Sequence, residues 1–372
     1  MTASIEQYAA RGVRSLQPYI PGKPVSELQR EYGIEQIIKL ASNENPLGPS
    51  PAVLDAIRAT LPDLACYPDG NGFDLKVALA TKLDIPTEWI TLGNGSNDIL
   101  ELVARAFLTS DTAAVYSQYA FAVYPMVTQA IGAKACVAAA HDGHDGPAWG
   151  HDLKAMAALV TDATRVVFVA NPNNPTGTWL ASNMLRNFIE NLPTHLIIVI
   201  DEAYFEYIDE ADYPNTLDWI SEFPNLLVTR TFSKAYGLAG LRVGYGICQP
   251  EMADLLNRVR QPFNVNQPAL VAAAAALADD AHLHKSVSLN RASLRMLEQS
   301  FEQLGLDYIP SVGNFIAVNV GQDAAQIYAD LLREGVIVRP VNNYDMPEYL
   351  RISTGNEWQN KRFIEALTKV IR

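Results

Sequence analysis

The chain has 372 residues, 49% of them apolar and 19% charged, so it can bury a large core and is neither disordered nor of low complexity. Against 41 Asp and Glu it carries 28 Lys and Arg, a formal net charge of −13 that disfavours nucleic-acid backbone and anionic lipid as main partners, since both need a positive field. Cys66, Cys136 and Cys248 are far apart and form no CxxC pair, which argues against a zinc ribbon or disulfide framework and for a reduced, cytoplasmic setting.

At roughly 150 residues per domain the length suggests about two domains. The N-terminus, MTASIEQYAARGVRSLQPYIPG, lacks the apolar run of a signal peptide. Residues 1–45 read as an arm and connecting segment that joins the smaller domain. From 46 to 262 short Val- and Ile-rich runs alternate with helical patterns. The runs are WITL (89–92), AAVY (113–116), RVVFVA (165–170), LIIVI (196–200), LLVTR (226–230) and LRVGYGI (241–247). Strands buried on both faces look like this. Between them, NDILELVARAF puts Ile99, Leu100, Leu102, Val103, Ala106 and Phe107 on one helical stripe. The expected fold class is α/β, a three-layer large domain around a mostly parallel sheet. Residues 263–372 read as a smaller α+β domain. It opens with a helical stretch over 268–304, capped by Asn266, and QPFNVNQP is its candidate hinge. The run ALVAAAAALA (269–278) is too short to span a bilayer, which takes ~20 residues.

In open α/β sheets, ligands sit beyond the carboxyl ends of the strands. After WITL comes GNGSND, where glycines and a helix start suit a phosphate. The pattern is neither GxGxxG nor a Walker A loop. After RVVFVA comes NPNNPTG, a rigid turn carrying amide donors. After LIIVI comes Asp201, a carboxylate suited to holding a buried cation. After LLVTR comes TFSKAYGLAG, where Lys234 sits among small and apolar neighbours that favour a desolvated, nucleophilic amine. Arg242 follows, suited to bidentate phosphate recognition. Each feature has a plainer alternative: an ordinary turn capped by Asn94 or Ser96, a structural turn, a helix-capping Asp, a surface lysine. Taken together they describe pyridoxal phosphate chemistry.

The TFSKAYGLAG, NPNNPTG and Asp-Glu-Ala-Tyr (201–204) blocks resemble, in order and spacing, those of the fold type I, aspartate-aminotransferase-like enzymes. PYIPGKP, LASNENPLGPSP (40–51) and YPDGNG (67–72) resemble the histidinol-phosphate aminotransferase subgroup of class II. The resemblance implies a homodimeric enzyme with pyridoxal 5'-phosphate as cofactor and no metal. Its reaction would be ping-pong exchange between histidinol phosphate and 2-oxoglutarate in histidine biosynthesis. Carried over by position, Lys234 is the Schiff-base residue and proton shuttle, Asp201 the partner of the ring nitrogen, and Asn174 and Tyr204 the partners of the ring 3-oxygen. Gly95, Ser96, Thr231, Ser233 and Arg242 would hold the cofactor phosphate, with Asn97 beside them. Tyr119 is expected to stack on the ring, and Tyr67 to reach a partner subunit's cofactor phosphate. Arg351, Arg339 and Tyr19 would bind the anionic end of the substrate. VNNYDMPEYL (341–350) departs from the expected Gly-containing turn. Three other readings stand beside this one: an aromatic-amino-acid aminotransferase, a threonine-phosphate-type decarboxylase, and a non-catalytic cofactor-binding regulatory module.

Overall fold

The strands of the computed structural model, which describes residues 5–144 and 146–371, follow the apolar runs closely. In chain order they are β1 (Ile38–Lys39), β2 (Ile90–Gly93), β3 (Ala113–Ser117), β4 (Lys134–Ala138), β5 (Thr164–Ala170), β6 (Ile197–Asp201) and β7 (Leu226–Thr231). Then come β8 (Gly244–Ile247), β9 (Tyr308–Ile309), β10 (Phe315–Asn319), β11 (Val336–Ile337), β12 (Arg339–Pro340) and β13 (Tyr349–Ser353). Seven of them form one sheet in the order β2-β8-β7-β6-β5-β3-β4. All its pairings are parallel except those of β8, which runs antiparallel to both neighbours.

Alternation within the central strands explains the three layers. Val167 and Val169 of β5, Ile198 and Ile200 of β6, and Leu226 and Val228 of β7 point into one core. Their intervening neighbours, Val166, Phe168, Val199 and Leu227, point into the other. Side chains two apart share a face, so a strand that is apolar at every position needs helices on both sides. The helix Ser96–Phe107 covers one face with Ile99, Leu100, Leu102 and Val103. Pro51–Thr60 and Phe73–Leu83 pack on the opposite side.

A third core lies around the four-stranded antiparallel sheet β12-β13-β10-β9. The helices Asp280–Leu304, Ala324–Arg333 and Glu357–Val370 pack on it. β1 pairs in parallel with β11, so the segment after the N-terminal arm joins this C-terminal unit.

Three local details differ from expectation. The stretch 268–304 forms two helices, Gln267–Ala278 and Asp280–Leu304, separated at Asp279, whose carboxylate caps the second by accepting from the His282 N–H. Asn266 caps the first, as its position predicts. The alanine-rich helix 267–278 packs against 51–60 and 73–83 in the core of the large sheet. On this packing we propose that the second unit begins near residue 280 instead of 263. Of the run 241–247 only Gly244–Ile247 is a strand, because Arg242 adopts a left-handed φ of 56° after a 3-10 turn at Ala239–Leu241. VIVRP divides into β11 and β12, which belong to different sheets.

Behind the carboxyl ends of β6 and β7 lies a buried ion pair. Arg230 Nε donates to Glu202 Oε2 at 2.9 Å, and the Thr216 hydroxyl donates to Glu202 Oε1 at 2.5 Å. The guanidinium lies 3.4 Å over the Phe205 ring. Removing one partner of such a pair strands the other charge. Glu202→Ala is therefore expected to destabilise the fold by about 3–5 kcal/mol, seen as a lower urea midpoint at unchanged m-value.

Candidate active site

The carboxyl ends of β5, β6 and β7, together with the turn after β2, converge on a cavity of about 240 Å³. The sheet supplies Asn174, Asp201, Tyr204, Thr231, Ser233 and Lys234 to its wall, and the turn after β2 supplies Ser96 and Asn97. Arg242 closes the same end, while Tyr19, Arg339 and Arg351 reach it from the arm and the C-terminal unit. Twelve residues singled out from the sequence thus meet in one place.

Lys234 stands in a turn built by its own block. The Ser233 N–H donates to Thr231 Oγ1 at 3.1 Å, and the Gly237 N–H to the Lys234 carbonyl at 2.9 Å. Gly237 has φ of 73°, and a Cβ there would sit 2.6 Å from the Gly48 carbonyl oxygen, so glycine is required. Lys234 Nζ donates to the Ser42 carbonyl at 3.3 Å. Burial, with the nearby guanidinium of Arg351 and then that of Arg242, brings its pKa down to about 7, although Glu44 and Asp201 pull the other way. The amine is thus largely neutral just above neutral pH.

Asp201 ends β6 and is 4% exposed. It caps no helix. Thr229 Oγ1 donates to its Oδ1 at 2.8 Å and the Tyr124 hydroxyl to its Oδ2 at 2.9 Å. Burial pushes its pKa up, while the two hydroxyls and Lys234 pull it back.

At the other end of the cavity is an anion cradle. Gly95, at φ of 78°, starts the helix Ser96–Phe107, and no side chain caps that helix. Asp98 accepts instead from the Asn94 N–H at 2.8 Å. The leading N–H groups therefore face the hydroxyls of Ser96, Thr231 and Ser233 and the guanidinium of Arg242. Arg242 Nη1 donates to Ser233 Oγ at 3.2 Å and to the Ala239 carbonyl at 3.1 Å. A Cβ on Gly95 would lie 2.5 Å from Arg242 Nη2, and one on Gly244 would lie 2.4 Å from the Ser96 nitrogen. The cradle exists only because both positions are glycine.

Arg351, in β13, is 8% exposed. Nη1 donates to Asn174 Oδ1 at 2.6 Å and Nη2 to the Ala41 carbonyl at 2.7 Å, while the buried Nε has no hydrogen-bond partner among the described residues. With its Oδ1 engaged, Asn174 keeps its amide N–H groups for a ligand. Arg339 lies 5.5 Å from the Tyr19 ring, which ties the arm over the cavity.

Tyr119 does not line this cavity. Its ring packs on Trp149, centroids 5.1 Å apart, and Phe121, two residues on, forms the aromatic wall. The helix that begins at Val123 turns the chain so that residue 121 faces inward. Tyr67 also lies outside the cavity, 82% exposed and stacked on Phe263 at 4.7 Å.

Sequence reasoning missed Asn43 and Tyr344. Asn43 is buried with φ of 54°, a conformation Asn tolerates, and its Nδ2 donates to the Tyr204 hydroxyl at 2.9 Å. Its signal was its place inside LASNENPLGPSP. Tyr344 lies in the stretch that departs from the expected pattern. A turn still forms there, without glycine, because Asp345 adopts a left-handed φ of 59°. Tyr344 then lines the cavity, and its hydroxyl accepts from the Ala122 N–H at 3.2 Å.

An uncapped helix start ringed by hydroxyls and an arginine, a half-buried amine of lowered pKa and a buried carboxylate are the donor set that pyridoxal phosphate requires, so the residues present fit that group. Residues 35–367 match the family model of aminotransferase class I and II. A histidinol-phosphate aminotransferase 2 of Pseudomonas fluorescens is 57% identical over 373 residues, spanning 100% of this chain and 99% of that one. A histidinol-phosphate aminotransferase 1 of Nitrosococcus oceani is 54% identical over 367 residues, spanning 98% and 97%. Among solved structures, the histidinol-phosphate aminotransferase of Sinorhizobium meliloti in complex with pyridoxal-5'-phosphate matches with a TM-score of 0.88 at 30% identity, over 97% of each chain. A Thermus thermophilus aspartate aminotransferase variant shares the fold, with a TM-score of 0.83 at 20% identity over 97% of this chain and 99% of that one. The chain belongs to the class I and II aminotransferase family, among its histidinol-phosphate aminotransferases.

Proposed function

We propose that the chain exchanges an amino group between histidinol phosphate and 2-oxoglutarate, giving imidazolylacetol phosphate and glutamate, as a step of histidine biosynthesis. The observation that carries this reading is the pairing, in one cavity, of a neutral lysine amine and a buried carboxylate with two arginines, Arg339 and Arg351. Both proposed substrates carry an anionic group for those arginines to hold.

Pyridoxal phosphate, when bound, supplies an aldehyde for an amine and a pyridine ring that withdraws electrons from the substrate Cα. Ser96, Thr231, Ser233 and Arg242, with the helix start behind them, would hold its phosphate. Asp201 would hold a proton at the ring nitrogen. The amide of Asn174 and the hydroxyl of Tyr204, itself fixed by Asn43, would face the ring oxygen. Lys234 Nζ, with its pKa brought down to about 7, would take the proton from the substrate Cα and give one back. Arg351, with Arg339 and Tyr19 beside it, would anchor the substrate's anionic end.

A homodimer belongs with this reading. Tyr67 and the Phe263 ring it stacks on are exposed, as are Leu61, Leu64 and Phe73 near it in the chain, large apolar side chains that a second copy would cover. Tyr67 would then reach the partner's cofactor phosphate. A cytoplasmic location is consistent with three free cysteines. No described helix is long and apolar enough to cross a membrane.

Phe121, Tyr19 and Tyr344 in the wall favour one second reading, aromatic-amino-acid exchange in the same cavity. Single-turnover absorbance changes discriminate the two. Histidinol phosphate is expected to convert the loaded enzyme faster than phenylalanine or tyrosine, and the reverse order would overturn the first reading. Arg351→Ala is expected to raise the KM for histidinol phosphate and for glutamate alike, by roughly 100-fold. An effect on one substrate alone would show that a second anion site exists.

The lowered Lys234 pKa sets a pH window. Below about 7 the amine is protonated and cannot attack, and above it the neutral form dominates. The rate of cofactor capture by the apoenzyme should therefore rise through a midpoint near pH 7, far below the value of an ordinary lysine, as followed by the growth of visible absorbance.

A further inference from the structure

We infer that Tyr124 is a positioning residue for the reaction: its hydroxyl, donated to Asp201 Oδ2, holds the carboxylate in place and keeps the shared proton on the cofactor's ring nitrogen. The inference rests on the reading that Asp201 pairs with that nitrogen.

The geometry is specific. Tyr124 is the second residue of the helix Val123–Ile131 and is fully buried. Its ring lies parallel to Phe168, centroids 4.8 Å apart and planes 8° from parallel, and meets the cavity-wall residue Phe121 edge-on at 6.0 Å. These contacts aim the hydroxyl at Asp201 Oδ2, 2.9 Å away. Thr229, on the neighbouring strand, serves Oδ1 at 2.8 Å. Burial and the adjacent Asp201 charge push the Tyr124 phenol well above its ordinary pKa, so it remains a donor.

The chemistry follows from competition for one proton. A hydrogen bond to the ionised form of a carboxylate makes it a weaker base. With a hydroxyl on each oxygen, Asp201 competes poorly for the ring proton, and the ring keeps its positive charge. Without Tyr124 the carboxylate grows more basic and the proton moves toward it. A less positive ring raises the proton affinity of the Lys234 nitrogen joined to the cofactor. The other charged groups acting on that nitrogen are Arg351, Arg242 and Glu44. The titratable groups acting on or beside the carboxylate and the Tyr124 hydroxyl are Lys234, Glu202 and the neutral phenols of Tyr204, Tyr213 and Tyr344. None of them is altered by the substitutions below.

The test uses the loaded enzyme and three variants, Tyr124→Phe, Thr229→Val and Asp201→Asn. Two readouts are taken without turnover: the pH midpoint of the visible absorbance and the dissociation constant of the cofactor. Tyr124→Phe keeps the stacked ring and removes only the hydroxyl. It is expected to raise the midpoint by about 0.5–1 pH unit while weakening cofactor binding less than about 10-fold. Thr229→Val, which unloads the other oxygen, should move the midpoint in the same direction and stands in if Tyr124→Phe does not fold. An unchanged midpoint in these variants, with Asp201→Asn shifting it, overturns the inference and leaves the role of Asp201 intact. An unchanged midpoint in Asp201→Asn overturns the role of Asp201 and the inference together.

Discussion

A carboxylate stands at the end of a strand whose faces are both buried. Asp201 is 4% exposed, and ionised groups are rarely placed so. Its position follows from the sheet: β6 is central, flanked by β5 and β7, and its side chains fill two cores. Hydroxyls from either side make the charge tolerable. The adjacent Glu202 is paired with Arg230, so two consecutive acids are satisfied by different means, one by hydroxyls and one by a guanidinium. That rigid floor gives the lysine turn, the anion cradle and the arginines a fixed reference.

Much of this was legible in the residues. Runs apolar at every position specify a sheet covered on both faces, and Gly, Asn, Asp and Lys just beyond them mark the site edge. The break at Asp279 was less visible, because alanine-rich and charged segments both favour helix and only the cap divides them. The aromatic wall was misplaced by two residues, from Phe121 to Tyr119, since inward direction depends on where the next helix starts. Tyr124 carried no local signal at all. Its partner lies 77 positions away, and only the pairing of β3, β5 and β6 brings them together. Asp345 shows the opposite case, a departure in sequence that preserves the turn because Asp can adopt a left-handed backbone.

The net charge of −13 describes the surface. The cavity inverts it, gathering Arg242, Arg339, Arg351 and a helix start around one lysine. Burial first, and then the guanidinium groups of Arg351 and Arg242, lower the proton affinity of Lys234. The same arginines that give the cavity its positive charge thus bear on the lysine amine.

The site is drawn from nearly the whole length of the chain, from Tyr19 in the arm to Arg351 in β13. Two of its tightest ties, Asn43 to Ser353 and Ala41 to Arg351, close loops of 310 residues. A cavity assembled in this way is complete only at the end of folding. It arises only when the first and last parts of the chain have docked, so ligand affinity becomes a property of the completed fold. A nascent or nicked chain lacking its final strand would retain the lysine turn and the cradle, yet the wall that closes them would be missing. The far C-terminus thereby acts as a checkpoint on the chemistry of the N-terminal two thirds.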